Sequence, residues 1–160
     1  MWWVVGVVAL IVLASTYLTW TATRVERLHR RSAAAREALD GKLDARALAA
    51  AALASKARPT LGRYADALDA AARAALESVD GQREATHNDL TRVLRELPLS
   101  PDHPELAAVE RANRRLSIAK QLHSDVVRDA RSSRWRPVVR VFGLARRHPE
   151  PRYFDIDDPA

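Results

Sequence analysis

Cysteine is absent from this chain. Disulfide staples and thiolate metal sites are therefore excluded, and the redox compartment is left open. Proline and glycine are scarce across most of the length: between Arg24 and Leu97 only Pro59, Gly41, Gly62 and Gly81 interrupt a run rich in Ala, Leu, Arg and Glu. These are strong helix formers. Strand-type alternation never persists for more than a few residues, so β structure is not expected. The most consequential absence is at the front. No charged side chain occurs from Met1 to Thr23.

A charge-free run of that length is enough to cross a bilayer core, which takes about 20 apolar residues. Its interior is Val4, Val5, Val7, Val8, Leu10, Ile11, Val12 and Leu13. Trp2, Trp3, Tyr17 and Trp20 stand near its ends, where amphipathic rings favour the headgroup level. A cleaved signal peptide would carry a basic leader, a shorter apolar core and small residues at the cut. Here nothing basic precedes the core, and Tyr17-Leu18-Thr19-Trp20 is bulky. The reading is a retained anchor over residues 1–23.

Arg24, Arg27, Arg30 and Arg31 follow the run directly, and only the terminal amine precedes it. The positive-inside rule then places the N-terminus outside and everything beyond Arg24 in the cytoplasm, in a single-pass plasma-membrane topology. The same arginines are candidates to hold anionic headgroups, at about 1 kcal/mol each.

The formal net charge is +6. A nucleic-acid binder would gather its basic residues on one face or interleave them with aromatics. Residues 24–134 instead mix Arg with Asp and Glu throughout, as a solvated helical surface does. Nucleic acid is not expected as a partner.

Helical periodicity organises residues 24–134. Leu28, Ala35, Leu39 and Leu43 share a face of a first helix that continues from the span to about Ala57, with Arg58-Pro59 as its boundary. The Ala-rich stretch 45–54 reads as close packing against a neighbouring helix. A second stripe runs Leu61, Tyr64, Leu68, Ala71, Ala75, Val79 and resumes at Leu90, Val93, Leu94, Leu97. Asp80-Gly81 marks a weak point or a turn, and one long interrupted helix is the favoured reading. Pro98, Pro101 and Pro104 then forbid a continuing helix, and Asp102 with Glu105 reads as an N-cap and its capping-box partner. The helix beyond carries Val109, Ala112, Leu116, Ala119, His123, Val126 and Ala130, alternating by three and four as in the seam of a left-handed bundle. That seam serves packing within one chain or self-association equally well.

From 135 to 160 the character changes to a short basic amphipathic segment and an irregular acidic tail. Trp135, Val138 and Phe142 form an apolar face among Arg134, Arg136, Arg140, Arg146 and Arg147; Tyr153 and Phe154 precede Asp155, Asp157 and Asp158. If three long legs leave the membrane, return and leave again, Trp135 ends roughly 45–55 Å from the bilayer at 1.5 Å per residue. On that geometry the basic segment closes the bundle and does not touch lipid.

Several short elements resemble the LemA family. Arg115-Leu116-Ser117-Ile118-Ala119-Lys120, followed by Asp125-Val126-Val127-Arg128-Asp129, is similar to its C-terminal helix signature. Leu39-Asp40-Gly41-Lys42-Leu43-Asp44-Ala45-Arg46 is similar to its Ile-Asp-x-x-Leu-x-x-Arg element. Val141-Phe142-Gly143-Leu144 and Arg152-Tyr153-Phe154 resemble its closing Phe-Gly and Tyr-Phe elements. His123-Ser124 and Ala130-Arg131 depart from the family, standing where Tyr-Asn pairs are usual. The resemblance implies a membrane-anchored antiparallel helical bundle facing the cytoplasm, and it implies no reaction.

No chemistry-bearing motif competes with this. The histidines His29, His87, His103, His123 and His148 include no pair on one helix face at metal-ligand spacing. His123, on the seam, reads as a polar residue satisfied in or beside the core. Carboxylates sit among arginines at helical spacings, as in Arg36-Glu37, Asp66-Asp69-Arg73 and Arg92-Arg95-Glu96, which is surface pairing. Nucleophile elbows, phosphate loops and dinucleotide fingerprints are missing. No catalytic, cofactor-binding or metal-binding residue is assigned, and no cofactor is expected.

The expectation is an all-α chain: one transmembrane helix running into an antiparallel bundle of three to four long helices. Its function is expected to be non-enzymatic, as a tethered scaffold or adaptor. The membrane-interface residues are Trp2, Trp3, Tyr17, Trp20, Arg24, Arg27, Arg30 and Arg31. The candidate surface for a protein partner is Trp135, Val138, Phe142, Tyr153 and Phe154. The alternative is a coiled coil that binds anionic lipid or organises the membrane.

Overall fold

The structure is a computed structural model that describes residues 1–100 and 103–134. Five helices follow one another: α1 (Trp2–Lys56), α2 (Arg58–Leu61), α3 (Arg63–Glu77), α4 (Arg83–Arg95) and α5 (Leu106–Arg134). The described residues contain no strand. The fold is an all-α helical bundle.

The chain divides into two compact units. One takes residues 1–34 with 125–134, and the other takes residues 35–124. The apolar run, the arginine band and the Ala-rich stretch 45–54 all lie in the single helix α1 of 55 residues. Its membrane-length portion has mean hydropathy 1.9 and is only 6% buried within the protein. Val5, Leu10, Ile11, Val12 and Leu13 are all more than half exposed. An uncovered apolar surface of this kind marks a contact with a membrane or with another protein. Among the described residues this is the one helix long and apolar enough to cross a membrane.

In the 35–124 unit the core forms where the predicted stripes meet. Ala47, Ala50, Leu53 and Ala54 of α1 pack with Leu61 of α2, with Ala65, Leu68, Ala72 and Ala75 of α3, and with Leu90 and Val109. A second cluster joins Leu39 and Leu43 of α1 to Leu116 of α5. Polar contacts fix the directions. On α1, residues 36, 40 and 44, and 46 meet residues 80, 83, and 87 and 91 in that order, so α4 runs parallel to α1. Arg46 meets Asn113 while Leu39 and Leu43 meet Leu116, so α5 runs antiparallel to α1. With α3 and α4 packed on each other across a short turn, the legs alternate up, down, up, down.

Two expectations are corrected here. Residues 60–97 are not one long interrupted helix but a helical hairpin, α3 and α4. Ser78 takes an extended conformation, its hydroxyl closing on Ala75 O at 2.7 Å, and Gly81 adopts φ 95°. A positive φ of this kind is open to glycine and strained for other residues. Val79, expected on the core stripe, falls in this turn and is 65% exposed. The second correction follows. The added turn makes the number of legs even, so the last leg returns. Residues 125–134, the end of α5, belong to the same compact unit as residues 1–34 and not to a far end.

The seam on α5 matches the expectation at Val109, Leu116, His123 and Ala130, which are buried, and at Ala112 and Ala119, which are half-buried. Between His123 and Ala130 the fully buried residue is Val127, while the expected Val126 is half-buried. The Ala-rich stretch is one continuous helix. The proposed cap Asp102 lies outside the described residues; α5 begins at Leu106, whose N–H donates to His103 O at 2.9 Å.

Candidate functional site

Two regions of the molecule carry unusual chemistry, the band at the end of the apolar run and a polar cluster inside the 35–124 unit.

At the band, Trp2, Trp3, Tyr17 and Trp20 are exposed. Tyr17 and Trp20 stack at 6.3 Å between ring centroids, and the Arg24 guanidinium lies 5.6 Å from the Trp20 ring centroid. This contact ties the last aromatic of the run to the first cation after it. Arg27 Nε donates to Thr23 O at 3.4 Å, and Arg30 pairs with Glu26 at 3.1 Å. Arg30 and Arg31 are exposed. The hydroxyls toward the end of the run are satisfied locally. Thr16, Thr19, Thr21 and Thr23 each donate to the carbonyl four residues earlier, at 2.8–2.9 Å. This back-bonding lets a hydroxyl sit in an apolar medium without an orphan donor.

The polar cluster was not legible from sequence. Arg46, although charged, is 1% exposed, because it lies between α1, α4 and α5. Its guanidinium donates through Nε to Asn113 Oδ1 at 2.9 Å, through Nη2 to Thr91 Oγ1 at 2.9 Å, and through Nη1 to His87 O at 3.4 Å. All three acceptors are neutral. Desolvation, with Arg95 adding to it, pulls its pKa down to about 10. The group therefore stays cationic at neutral pH, joining α1, α4 and α5 through one side chain. Thr91 relays the network, accepting from Arg46 and donating to His87 O at 2.9 Å.

His87 is fully buried, and neither ring nitrogen has a hydrogen-bond partner. Burial, then the charges of Arg46 and Arg83, push its pKa down to about 4 against the opposing pull of Asp44. Arg83, one turn away on α4, pairs with Asp44 and lies 3.5 Å from Asp40. His123 is buried at the α5 seam as expected, and desolvation followed by Arg36 lowers its pKa. Among the described residues no group of three His, Asp or Glu is placed to hold a metal.

The surface pairing read from spacing is partly realised. Arg73 meets Asp69 at 2.9 Å, but Arg36 meets Asp40 and Asp80, and Arg92 meets Asp89. Two sequence features coincide with the cluster without identifying it. Arg46 sits on the alanine face defined by Ala47, Ala50 and Ala54, and it ends the Leu39–Arg46 element. Helical spacing put Leu39, Leu43 and Arg46 on neighbouring positions, and the fold buries all three.

The residues of the expected partner surface, Trp135, Val138, Phe142, Tyr153 and Phe154, lie outside the described residues, as do the acidic tail and the closing elements of the family resemblance. No family profile, curated protein or solved structure matches the chain.

Proposed function

We propose that this chain is a membrane-anchored, non-enzymatic interaction module of LemA-like type. Its helical bundle stands in the cytoplasm, tethered by residues 1–23, with the N-terminus outside. The observation that carries the reading is α1 itself. One uninterrupted helix bears an apolar segment 6% covered by the protein and, further along, the buried alanines of the bundle core. Anchor and scaffold are thus one element. The orientation rests on the arginines at 24, 27, 30 and 31 against an uncharged leading segment. The enclosure of Arg46 and of the two buried histidines by packing supports a structural role for these groups.

Protease shaving of intact cells tests the topology. Residues beyond 31 should survive while cells are sealed and be digested on lysis; digestion in intact cells would reverse the orientation. Deleting residues 134–160 tests the partner surface: partner recovery should be lost while helicity and membrane association persist.

A second reading, anionic-lipid binding by the arginines of 24–31 and 134–147, gains support from one finding. Residues 125–134 share a compact unit with residues 1–34, which removes the distance objection to it. Salt-sensitive binding of the chain lacking residues 1–23 to phosphatidylglycerol vesicles would favour this reading over the first.

A further inference from the structure

Alongside the core, α1 and α5 of the 35–124 unit border an open groove. One stretch, of about 290 Å³, has Ala49, Ala52 and Ala108 on its floor. It shares Ala49, Ala108 and Arg111 with a second stretch of about 200 Å³, floored by Ala45 and Ala112. On α1, Lys42, Ala45, Ala49, Ala52 and Lys56 line it at spacings of three, four, three and four, which is one helix face, and the core residue Leu53 borders it. Ala47, Ala50 and Ala54 face the core instead. Ala49 and Leu53 of the lining also touch the core cluster, so the alanines of this face open to solvent are Ala45 and Ala52.

Helix propensity accounts for outward alanines, but not for the charge around them. Lys42 and Lys56 stand along the α1 side of the groove, Arg111 and Arg115 along the α5 side, and all four are exposed. None of the four forms an ion pair with a carboxylate among the described residues. Arg36, Arg58, Arg73, Arg83, Arg92 and Arg114 of the same unit all do. The α5 stripe of Arg111 and Arg115 continues, at the same spacing, into Ile118 and Leu122, which are 66% and 58% exposed.

We propose that this groove docks an acidic amphipathic helix of a partner protein. The inference rests on the reading of the chain as an interaction module and assigns it a surface separate from residues 135–160. Alanine floors let a third helix approach to an axial separation near the short end of about 8–10 Å. From Lys42 to Lys56 the groove runs about 21 Å, or about four helical turns. A partner helix with a small apolar stripe and Asp or Glu on both edges meets cations on both sides, and Ile118 and Leu122 give its apolar stripe larger contacts beyond the alanines. The one carboxylate in the lining, Glu105, stands at the Pro104 end and has a buried oxygen without a partner. It suits the N-terminal turn of the docked helix, where free N–H groups carry the positive end of the dipole. A second copy of this chain is a poor occupant, because symmetric pairing would set the same four cations against each other.

The test uses the full chain in nanodiscs of neutral lipid. The probe is an 18-residue synthetic helix with an Ala/Leu stripe and glutamates on both flanks; a control peptide carries lysines in their place. Fluorescence anisotropy should show saturable, salt-sensitive binding of the glutamate peptide and none of the lysine peptide. Arg111→Glu with Arg115→Glu should weaken binding at least tenfold while circular dichroism stays unchanged, since both side chains are in solvent. Deleting residues 134–160 should not alter it, which separates this proposal from the C-terminal surface. Equal binding of both peptides, no binding, or no response to the double reversal would overturn the proposal. In cells, a photocrosslinker at Ala49 should form an adduct with an acidic helical segment of another protein. An adduct with lipid, with a second copy or with this chain's own tail, or no adduct, would also overturn it.

Discussion

Lowering the pH should loosen the 35–124 unit through one imidazole. His87 is wholly enclosed, its two ring nitrogens have no partner, and Arg46 and Arg83 are the cations nearest in effect. Its pKa falls from the ordinary 6.5 to about 4. The unfolded chain accepts a proton near pH 6.5, whereas the folded chain refuses it until about pH 4. Between those values the unfolded state holds more protons, so stability falls as pH falls through that window and is level above it. A difference of about 2.5 pH units at 1.36 kcal/mol each is about 3 kcal/mol. Domains of this kind hold only about 5–15 kcal/mol in total, so the effect is large enough to see. His123, with its pKa lowered by burial and by Arg36, acts in the same direction, while Asp44 opposes the shift at His87. The assay is urea unfolding of the full chain in mild non-ionic detergent, followed by far-UV circular dichroism between pH 7 and pH 4. His87→Leu serves as the reference that cannot titrate. The wild type should lose about 3 kcal/mol more than the variant over that interval. Parallel losses in the two proteins would show that His87 is not held neutral by burial and its cationic neighbours, and the reasoning would be wrong.

Three other outcomes are expected. Thr91→Val keeps the shape of a 2% exposed residue but deprives the Arg46 guanidinium of one acceptor, and should cost about 1.5–3 kcal/mol by the same unfolding assay. In an Arg46→Met background the same change should cost much less, a coupling that a double-mutant cycle measures. Gly81→Ala should destabilise by about 1–2 kcal/mol from backbone strain alone, because φ is 95° and an added Cβ meets nothing within 4 Å. Leu116→Ala, which empties the cluster shared with Leu39 and Leu43, should cost about 2–5 kcal/mol.

Much of the architecture was legible because it follows from periodicity. Leu39, Leu43, Leu68, Leu90 and Leu116 were read as inward from their spacing, and all are buried. The boundary at Arg58-Pro59 appears as the break between α1 and α2. Spacing could not tell whether Asp80-Gly81 weakens a helix or reverses it, because both leave the stripes on either side intact. Only the packing of α3 on α4 distinguishes them, and that choice decides whether the final leg runs away from residues 1–34 or returns to their unit.

The sequence alone determined that the chain is helical and where its apolar stripes and uncharged leading segment lie. Helical periodicity and transfer of apolar surface out of water are local properties, readable residue by residue. The tertiary structure alone decided the fate of the polar side chains. An arginine, a histidine and a threonine on ordinary helical positions became one buried network because three helices close over Arg46, and four other cations were left in an open groove. Whether a charge meets water, a carbonyl or a carboxylate depends on which distant segments surround it, and no local pattern records that.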